Sequence, residues 1–398
     1  MAKPATRPAL PRTIWVLGFV SLLMDLSSEI YHSLLPVFIT SMLGLPVVAL
    51  GAIDGIAEAT ASFAKLVSGR LSDRSNRRKP WVLLGYGLAA LSKPLFPLAA
   101  GAAPLIAARF IDRVGKGIRG SPRDAMIADE TPPELRGRAF GLRQALDTVG
   151  ALLAPLAAMA LMFAFANAVR TVFWIAVVPA FLSAMLVLFV LRESPGTSKP
   201  SKSAPLFRGF RDVGKDTRRL LAVGFLFMLA RFSESFLILR GLDLGLSPAL
   251  SPFALVLFNL GFVALAYPAG ALSDRISPRS ILMAGIGVLI AGDLVLSRDW
   301  GIAGLTLGVV VWGAHMALTQ GIFSRMIADS APEGLRATSF GAFYFVTGIA
   351  TLLASVGAGW LWDREGASAT FLTGAGIAAL AWAMLVLLPD DHQAHPAG

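Results

Sequence analysis

Two stretches of this chain are written twice, about two hundred residues apart. Gly69-Arg-Leu-Ser-Asp73-Arg74 recurs as Gly270-Ala-Leu-Ser-Asp274-Arg275. Met126-Ile-Ala-Asp129, with Pro132, Leu135-Arg136 and Phe140-Gly141, recurs as Met326-Ile-Ala-Asp329, with Pro332, Leu335-Arg336 and Phe340-Gly341. The aspartates of the first motif are 201 positions apart and those of the second 200. A near-constant offset over two separated motifs means that a whole half is duplicated, so the chain must fold as two similar units.

Those units are strongly apolar. Hydrophobic residues make up 55% of the 398, and the mean hydropathy is +0.67, which is not the composition of a soluble domain. Apolar runs of roughly twenty residues, the length that crosses a bilayer core, recur along the chain. Twelve spans are predicted, over 13–42, 47–71, 80–100, 103–127, 138–164, 169–192, 219–240, 250–273, 279–297, 301–327, 338–361 and 367–388. Most breaks carry turn chemistry, as at Gly44-Leu-Pro46, Pro132-Pro133, Ser251-Pro252 and Ser277-Pro278. Met1 to Pro11 is basic and Pro-rich, and the first apolar stretch is too long for the core of a cleavable signal peptide, so none is expected. Cysteine is absent, which excludes disulfides and thiolate metal sites. The net charge of +10 fits basic cytoplasmic loops better than a nucleic-acid partner. One set of loops holds Arg74, Arg77, Arg78 and Lys79, then Arg136 and Arg138, then Arg275 and Arg279, then Arg336, and the alternate set is nearly bare. The basic side is therefore expected to be cytoplasmic, with both termini on it.

One long polar segment, Arg192 to Arg219, separates the repeats and reads as a cytoplasmic linker. Its end, from Phe207 to Arg219, is expected to lie on the membrane surface as an amphipathic helix. The expected domains are an N-terminal six-helix bundle over 1–192, a linker over 193–218 and a C-terminal bundle over 219–398.

The loop after the second span names a family. Gly69-Arg-Leu-Ser-Asp73-Arg74-Ser-Asn76-Arg77-Arg78-Lys79 resembles the signature loop of the major facilitator superfamily, with Asn76 where that family usually has Gly. Asn tolerates the left-handed conformation better than most residues, so the turn survives. The resemblance covers essentially the whole chain. It implies an all-α integral membrane protein with twelve transmembrane helices, arranged as two pseudo-symmetric six-helix bundles around a central cavity. It also implies a secondary transporter working by alternating access, complete as a monomer in the bilayer. Gly69, Asp73, Arg74, Arg77 and Arg78, with Asp274 and Arg275 of the second copy, would form a charged gate. A charge cluster that locks one conformation and opens in another suits such a cycle.

Ionisable residues inside spans are costly and are functional by default. The first span carries Asp25, Glu29 and His32. At about 100° per residue these fall on one face. The second carries Asp54, Glu58 and Lys65, and the fourth Arg109, Asp112, Arg113, Lys116, Arg119 and Arg123. The fifth carries Arg143 and Asp147, spaced for an internal pair, and the seventh Arg231 and Glu234. The duplication supplies an internal control. Positions 309, 312, 313, 316, 319 and 323, which mirror the fourth span, are Val, Trp, Gly, Met, Thr and Phe. The fold does not require these charges, so they point to a polar site charged mainly in the N-terminal half.

The resemblance places the first, fourth, seventh and tenth helices around the cavity. His32, Arg109, Asp112, Lys116, Arg231, Glu234 and His315, with Glu58, are then expected to meet the solute. Arg113 and Gly117 match the family's fourth-helix motif, whose Arg lies near the proton-carrying acid in proton-coupled members. Asp25 and Glu29, opposed by Arg113 and Lys116, are expected to carry the proton. Gly115, Gly117, Gly120 and Pro122 suggest a weak or broken fourth helix. On one reading its cations form an anion site from Arg109, Arg113, Lys116 and Arg119. On the other, Arg119 and Arg123 snorkel to the cytoplasm. Gly141, Gly150 and Ala154-Pro155 resemble a thinned form of the family's antiporter motif, although small residues also serve close packing.

Lys93 and Asp293, in spans expected to contact lipid, are read as snorkelling or paired. Asp390-Asp391-His392-Gln-Ala-His395 reads as a solvated tail, and no closed metal set or cofactor motif is expected. The leading expectation is proton-coupled export of a small organic solute from a bacterial inner membrane. Uptake of an organic anion through the fourth-helix cations stays open. A membrane enzyme lacks any nucleophile–base pair, and a non-transporting sensor lacks an added signalling domain.

Overall fold

The structure, a computed structural model, describes residues 10–74, 77–132, 135–193, 214–273, 276–331 and 336–387. All regular structure among them is helical. This follows from the solvent, since a bilayer offers a peptide group no partner and only a helix pairs its own.

Helix α1 spans Arg12–Val37 and relaxes after Pro36 into a wider π turn, Phe38–Met42. Helix α2 is Val47–Arg74, α3 Lys79–Ser92 and α4 Leu95–Leu98. Helix α5 is Ala102–Asp129, α6 Arg136–Ala164 and α7 Val169–Met185, the last followed by a π turn at Leu186–Val190. Helices α8 (Lys215–Ala230) and α9 (Ser235–Asp243) flank a short break. Helix α10 is Phe253–Ser273, α11 Pro278–Leu296, α12 Gly301–Ser330 and α13 Arg336–Leu387.

Among the described residues, nine helical stretches are long and apolar enough to cross a membrane, and Phe253–Ala266 is a shorter apolar one. Two expected spans escape that count for physical reasons. Helix α5 carries too many charges along its length. The stretch Ala342–Leu387 counts once, although Gly366 breaks α13 with φ 80° and ψ −175°. A side chain is strained there, so the eleventh expected span ends where only glycine turns the chain.

The chain forms two compact units. One comprises Met1–Leu34 and Thr60–Ser203, the other Leu35–Ala59 and Ala204–Gly398. The change from one unit to the other at residue 204 falls in the polar segment that the sequence marks as a linker. The assignment of 35–59 to the second unit has no sequence signal, and it has two visible causes. Asp363 of α13 accepts from the Val47 and Val48 amides at 2.8 Å each, which caps the start of α2. Asp54 Oδ2, on the same part of α2, accepts from the hydroxyls of Ser233 at 2.6 Å and Ser235 at 2.5 Å.

The expected surface helix at Phe207–Arg219 lies partly outside the described residues, and helix is present from Lys215. The polar tail at 390–395 lies outside them entirely. Gly366→Ala is expected to cost about 1–3 kcal/mol and to lower the melting temperature in detergent. Gly357→Ala, where an added Cβ meets no atom within 4 Å, is expected to cause no loss, and the two melts together test the assignment.

Candidate functional site

The acidic stripe of α1 forms as its spacing predicts, but its partners differ from those expected. Asp25 Oδ1 lies 3.5 Å from Arg119 Nη2, and Arg119 is only 4% exposed. The Arg119 guanidinium rests 4.6 Å from the centre of the Tyr86 ring. Arg119 therefore does not snorkel away; it is the cation that meets Asp25. Arg123 also turns inward, donating to Ser21 Oγ at 3.0 Å, and Ser21 meets the Tyr86 hydroxyl at 3.2 Å. Glu29 Oε2 meets His32 Nδ1 at 3.2 Å. Arg113 and Lys116, the expected opponents, stay within electrostatic range of Glu29. The close ion pair of Arg113 is with its neighbour Asp112, at 3.7 Å.

Helix α5 is unbroken through Gly115–Pro122, against the expected break. Its glycines serve close approach. A Cβ on Gly115 would lie 2.6 Å from the Gly85 carbonyl oxygen, and one on Gly117 would lie 2.7 Å from that of Ala61. Tight contact with α3 and α2 offsets the propensity cost of about 1 kcal/mol per glycine. Gly150 of α6 likewise brings its backbone against α1, 2.7 Å from Leu22 O if a Cβ were added. That contact sets Asp147, one turn earlier, within electrostatic range of Asp25. Asp147 Oδ2 is held by Arg143 Nη1 at 2.8 Å, the internal pair that the spacing predicts.

Lys93, read from the sequence as peripheral, is fully buried. Its Nζ donates to Asp112 Oδ1 at 2.8 Å and to Ser28 Oγ at 3.0 Å. It lies 5.0 Å from the Tyr31 ring centre and 5.8 Å from that of Phe96. Tyr31 is pinned in turn by its hydroxyl, 2.6 Å from the Phe173 carbonyl oxygen. Asp112 therefore faces a lysine on α3, with Arg109 and Arg113 in electrostatic range. A lone lysine in an apolar run carries no periodic signal. Its one clue lay in the repeat, because position 293 is also charged.

The second unit holds the other expected side chains. The break between α8 and α9 carries Arg231 and Glu234, paired at 2.7 Å. Its backbone is satisfied locally, by Phe227 O for the Arg231 amide and by Ser233 Oγ for that of Ser235. Such a break is tolerated inside a membrane protein where protein groups fill the vacancies. His315, expected to face a cavity, is instead fully buried. Its Nδ1 meets the Trp312 carbonyl oxygen, and its ring packs 4.6 Å from that of Trp312. Glu58 is exposed on α2, and Lys116 is exposed on α5.

The gate motif is partly described. Gly69, Asp73 and Arg74 end α2, but their side chains lie outside the described residues, as do Asp274 and Arg275 altogether. Arg78 joins the two duplicated motifs, donating to Ser72 Oγ at 3.0 Å and lying 3.4 Å from Asp129 Oδ2. Glu193 accepts from the Arg78 and Lys79 amides and so caps α3. Arg77 is exposed. Among the described residues no three His, Asp or Glu side chains gather as a metal set.

Apolar helices of membrane-crossing length that carry buried, paired charges define a multi-pass membrane protein. The profile of the Major Facilitator Superfamily matches residues 17–241 and 235–398. An MFS-type transporter of Methanocaldococcus jannaschii is 31% identical over 388 residues, covering 95% of each chain. The human vesicular acetylcholine transporter is 32% identical over 156 residues, 39% of this chain and 27% of that one. Among solved structures, a POT family transporter in complex with 5-aminolevulinic acid superposes with a TM-score of 0.78 at 15% identity, covering 95% of this chain and 96% of that one. The human organic anion transporter superposes with 0.66 at 21% identity, covering 95% and 100%. The chain belongs to the major facilitator superfamily, and is a membrane transporter rather than an enzyme.

Lys93→Met is expected to destabilise the protein, because the buried Asp112 carboxylate loses its 2.8 Å bond from Lys93 and keeps only the looser Arg113 contact at 3.7 Å. The double variant Lys93→Met/Asp112→Leu is expected to recover only part of that loss, since it also removes the Asp112 partner of the buried Arg113. A double-mutant cycle on thermal unfolding in detergent checks both.

Proposed function

We propose that this transporter couples the movement of a small organic solute to protons by alternating access, with Asp25 and Glu29 as the titrating carboxylates. The observation that carries the reading is the Asp25–Arg119 pair at 3.5 Å. At that distance the two charges attract without a short hydrogen bond to lock them. A proton on Asp25 removes its charge and leaves the Arg119 guanidinium with only the Tyr86 face. Each carboxylate of the α1 stripe, and Asp147 beside it on α6, thus has a cation or imidazole ready to change partner. Glu29 has His32 at 3.2 Å, and Asp147 has Arg143 at 2.8 Å.

The chemistry of that exchange sets the direction of coupling. A cationic solute competes with the proton for Asp25, so one leaves as the other binds, which is exchange. An anionic solute binds Arg119 once the proton has released it, so both travel together. We favour proton exchange and export, since the acids of α1 and the small residues of α6 fit a neutral or cationic solute. Uptake of an organic anion is the second reading, favoured by the burial of Arg109 and Arg113 on α5. The named relatives divide the same way, one an acetylcholine transporter and one an organic anion transporter. On this reading the transporter works as a monomer in a bacterial inner membrane, with its basic loops and both termini cytoplasmic, an orientation supported by the arginines and lysines gathered in one set of loops.

Internal pH is recorded in proteoliposomes while anionic and cationic solutes are added. Proton movement is expected with one solute class, and is expected to vanish in Glu29→Gln and Asp25→Asn while the folded yield is unchanged. Uphill transport that persists in Glu29→Gln removes Glu29 from the carrier, and persistence in both variants removes the proposal.

A further inference from the structure

In the second unit a carboxyl is buried where the equivalent position of the first unit holds a cation. Asp293 of α11 stands 200 residues after Lys93, and Trp312 of α12 stands 200 after Asp112. In the first unit these two positions form an ion pair at 2.8 Å. In the second the same register joins a carboxyl to an indole. Asp293 is fully buried. Its Oδ1 accepts from Trp312 Nε1–H at 3.1 Å, and its Oδ2 has no hydrogen-bond partner among the described residues. That second oxygen points at α13, where a Cβ added to Gly374 would lie 3.0 Å from it. The same point is 3.3 Å from the Ala230 carbonyl oxygen, at the end of α8, and 3.1 Å from the Phe232 ring.

Two charged or titratable groups flank this pocket, and each is bound to a partner other than Asp293, although His315 Nε2 and Arg231 Nε carry no hydrogen bond among the described residues. From α12 comes His315, with its Nδ1 on the Trp312 carbonyl. From the break after α8 comes Arg231, 5.9 Å from the centre of the Trp312 ring and tied to Glu234 at 2.7 Å. From α13 come Gly374 and the Phe371 ring, both without charge. None of them makes an ion pair with Asp293 among the described residues. A carboxylate in such a place would lose its hydration for a single indole bond, a poor exchange. A neutral carboxyl needs only one donor to its carbonyl oxygen and one acceptor for its hydroxyl. The Trp312 N–H supplies the first, and the Ala230 carbonyl oxygen, which borders the same point beside Gly374 as Oδ2, is the acceptor we assign to the second.

We propose that Asp293 is a proton-binding site of the second unit, occupied while α11, α12 and α13 stay packed and emptied only when that packing opens to water. This site stands apart from Asp25 and Glu29 and does not depend on their role.

The test is infrared spectroscopy of the full-length protein in lipid nanodiscs at neutral pH, in H2O and D2O. A neutral-carboxyl C=O band that shifts on deuteration is expected, absent in Asp293→Asn and kept in Asp25→Asn. In Trp312→Phe the same band is expected to move to higher frequency, because the hydrogen bond to Oδ1 is gone. Asp293→Asn is expected to melt as the wild type does, since the amide oxygen still accepts from the indole and its N–H replaces the hydroxyl. Loss of a carboxylate band in Asp293→Asn in place of the neutral one overturns the proposal, as does an unchanged spectrum. Should Asp293→Asn fail to fold, the Trp312→Phe shift decides alone, and an unshifted band overturns the proposal.

Discussion

An apolar solvent offers no partner to a peptide group or to a charge, and the organisation of this protein follows from that constraint. Peptide groups answer it by forming helices over all the regular structure described. Where a helix stops inside a unit, other protein groups fill the vacancies. Ser233 serves the break after α8, and Asp363 serves the start of α2. Charges answer it by burial and pairing. Lys93 with Asp112 and Arg119 with Asp25 are pairs of this kind. A pair held in this way is expensive to break from one side only, which makes it a suitable element for a cycle that must change partners in a fixed order.

The duplication shows what the scaffold needs and what was added to it. Both units bring two positions together at the same separation, the end of α3 with α5 and α11 with α12, since Lys93 meets Asp112 and Asp293 meets Trp312 across 19 residues in each case. The aromatic packing beside them is also repeated. Tyr31 packs on Phe173 at 4.7 Å in one unit, and Phe232 on Phe371 at 5.4 Å in the other. The geometry is shared while the charges are not. The cations of α5 become Val309, Gly313, Met316 and Thr319 on α12, and the helix still packs. Those charges therefore serve something other than folding.

Much of the fold was legible because its signals are local. Bilayer-length apolar runs, turn residues and the polar linker are each read within a short window, and the helices follow them. The misreadings share one cause. Gly115, Gly117 and Pro122 looked like a break because the sequence does not show the neighbouring helices that α5 approaches. The sequence reads Lys93 and Asp293 as snorkelling or paired; Lys93 does pair, with Asp112, but a single charge in an apolar run does not show which partner it points to. The acidic stripe of α1 was legible from its spacing, but its cation was not. Arg113, chosen by resemblance, and Arg119, found by geometry, lie on the same helix less than two turns apart but about 120° apart around it.

The sequence by itself determined the solvent, the helices, the internal repeat and the set of ionisable residues placed inside the membrane. Each of these depends on composition or on spacing of a few residues. Only the tertiary structure decided which of those residues meet. It set Arg119 against Asp25, and it closed Asp293 behind Trp312. It also joined residues 35–59 to the second unit through contacts such as Val47 with Asp363, 316 positions apart. The reason is geometric. Pairing depends on how far each helix is rotated about its axis and on which helix lies beside it, and neither quantity is written within any one span.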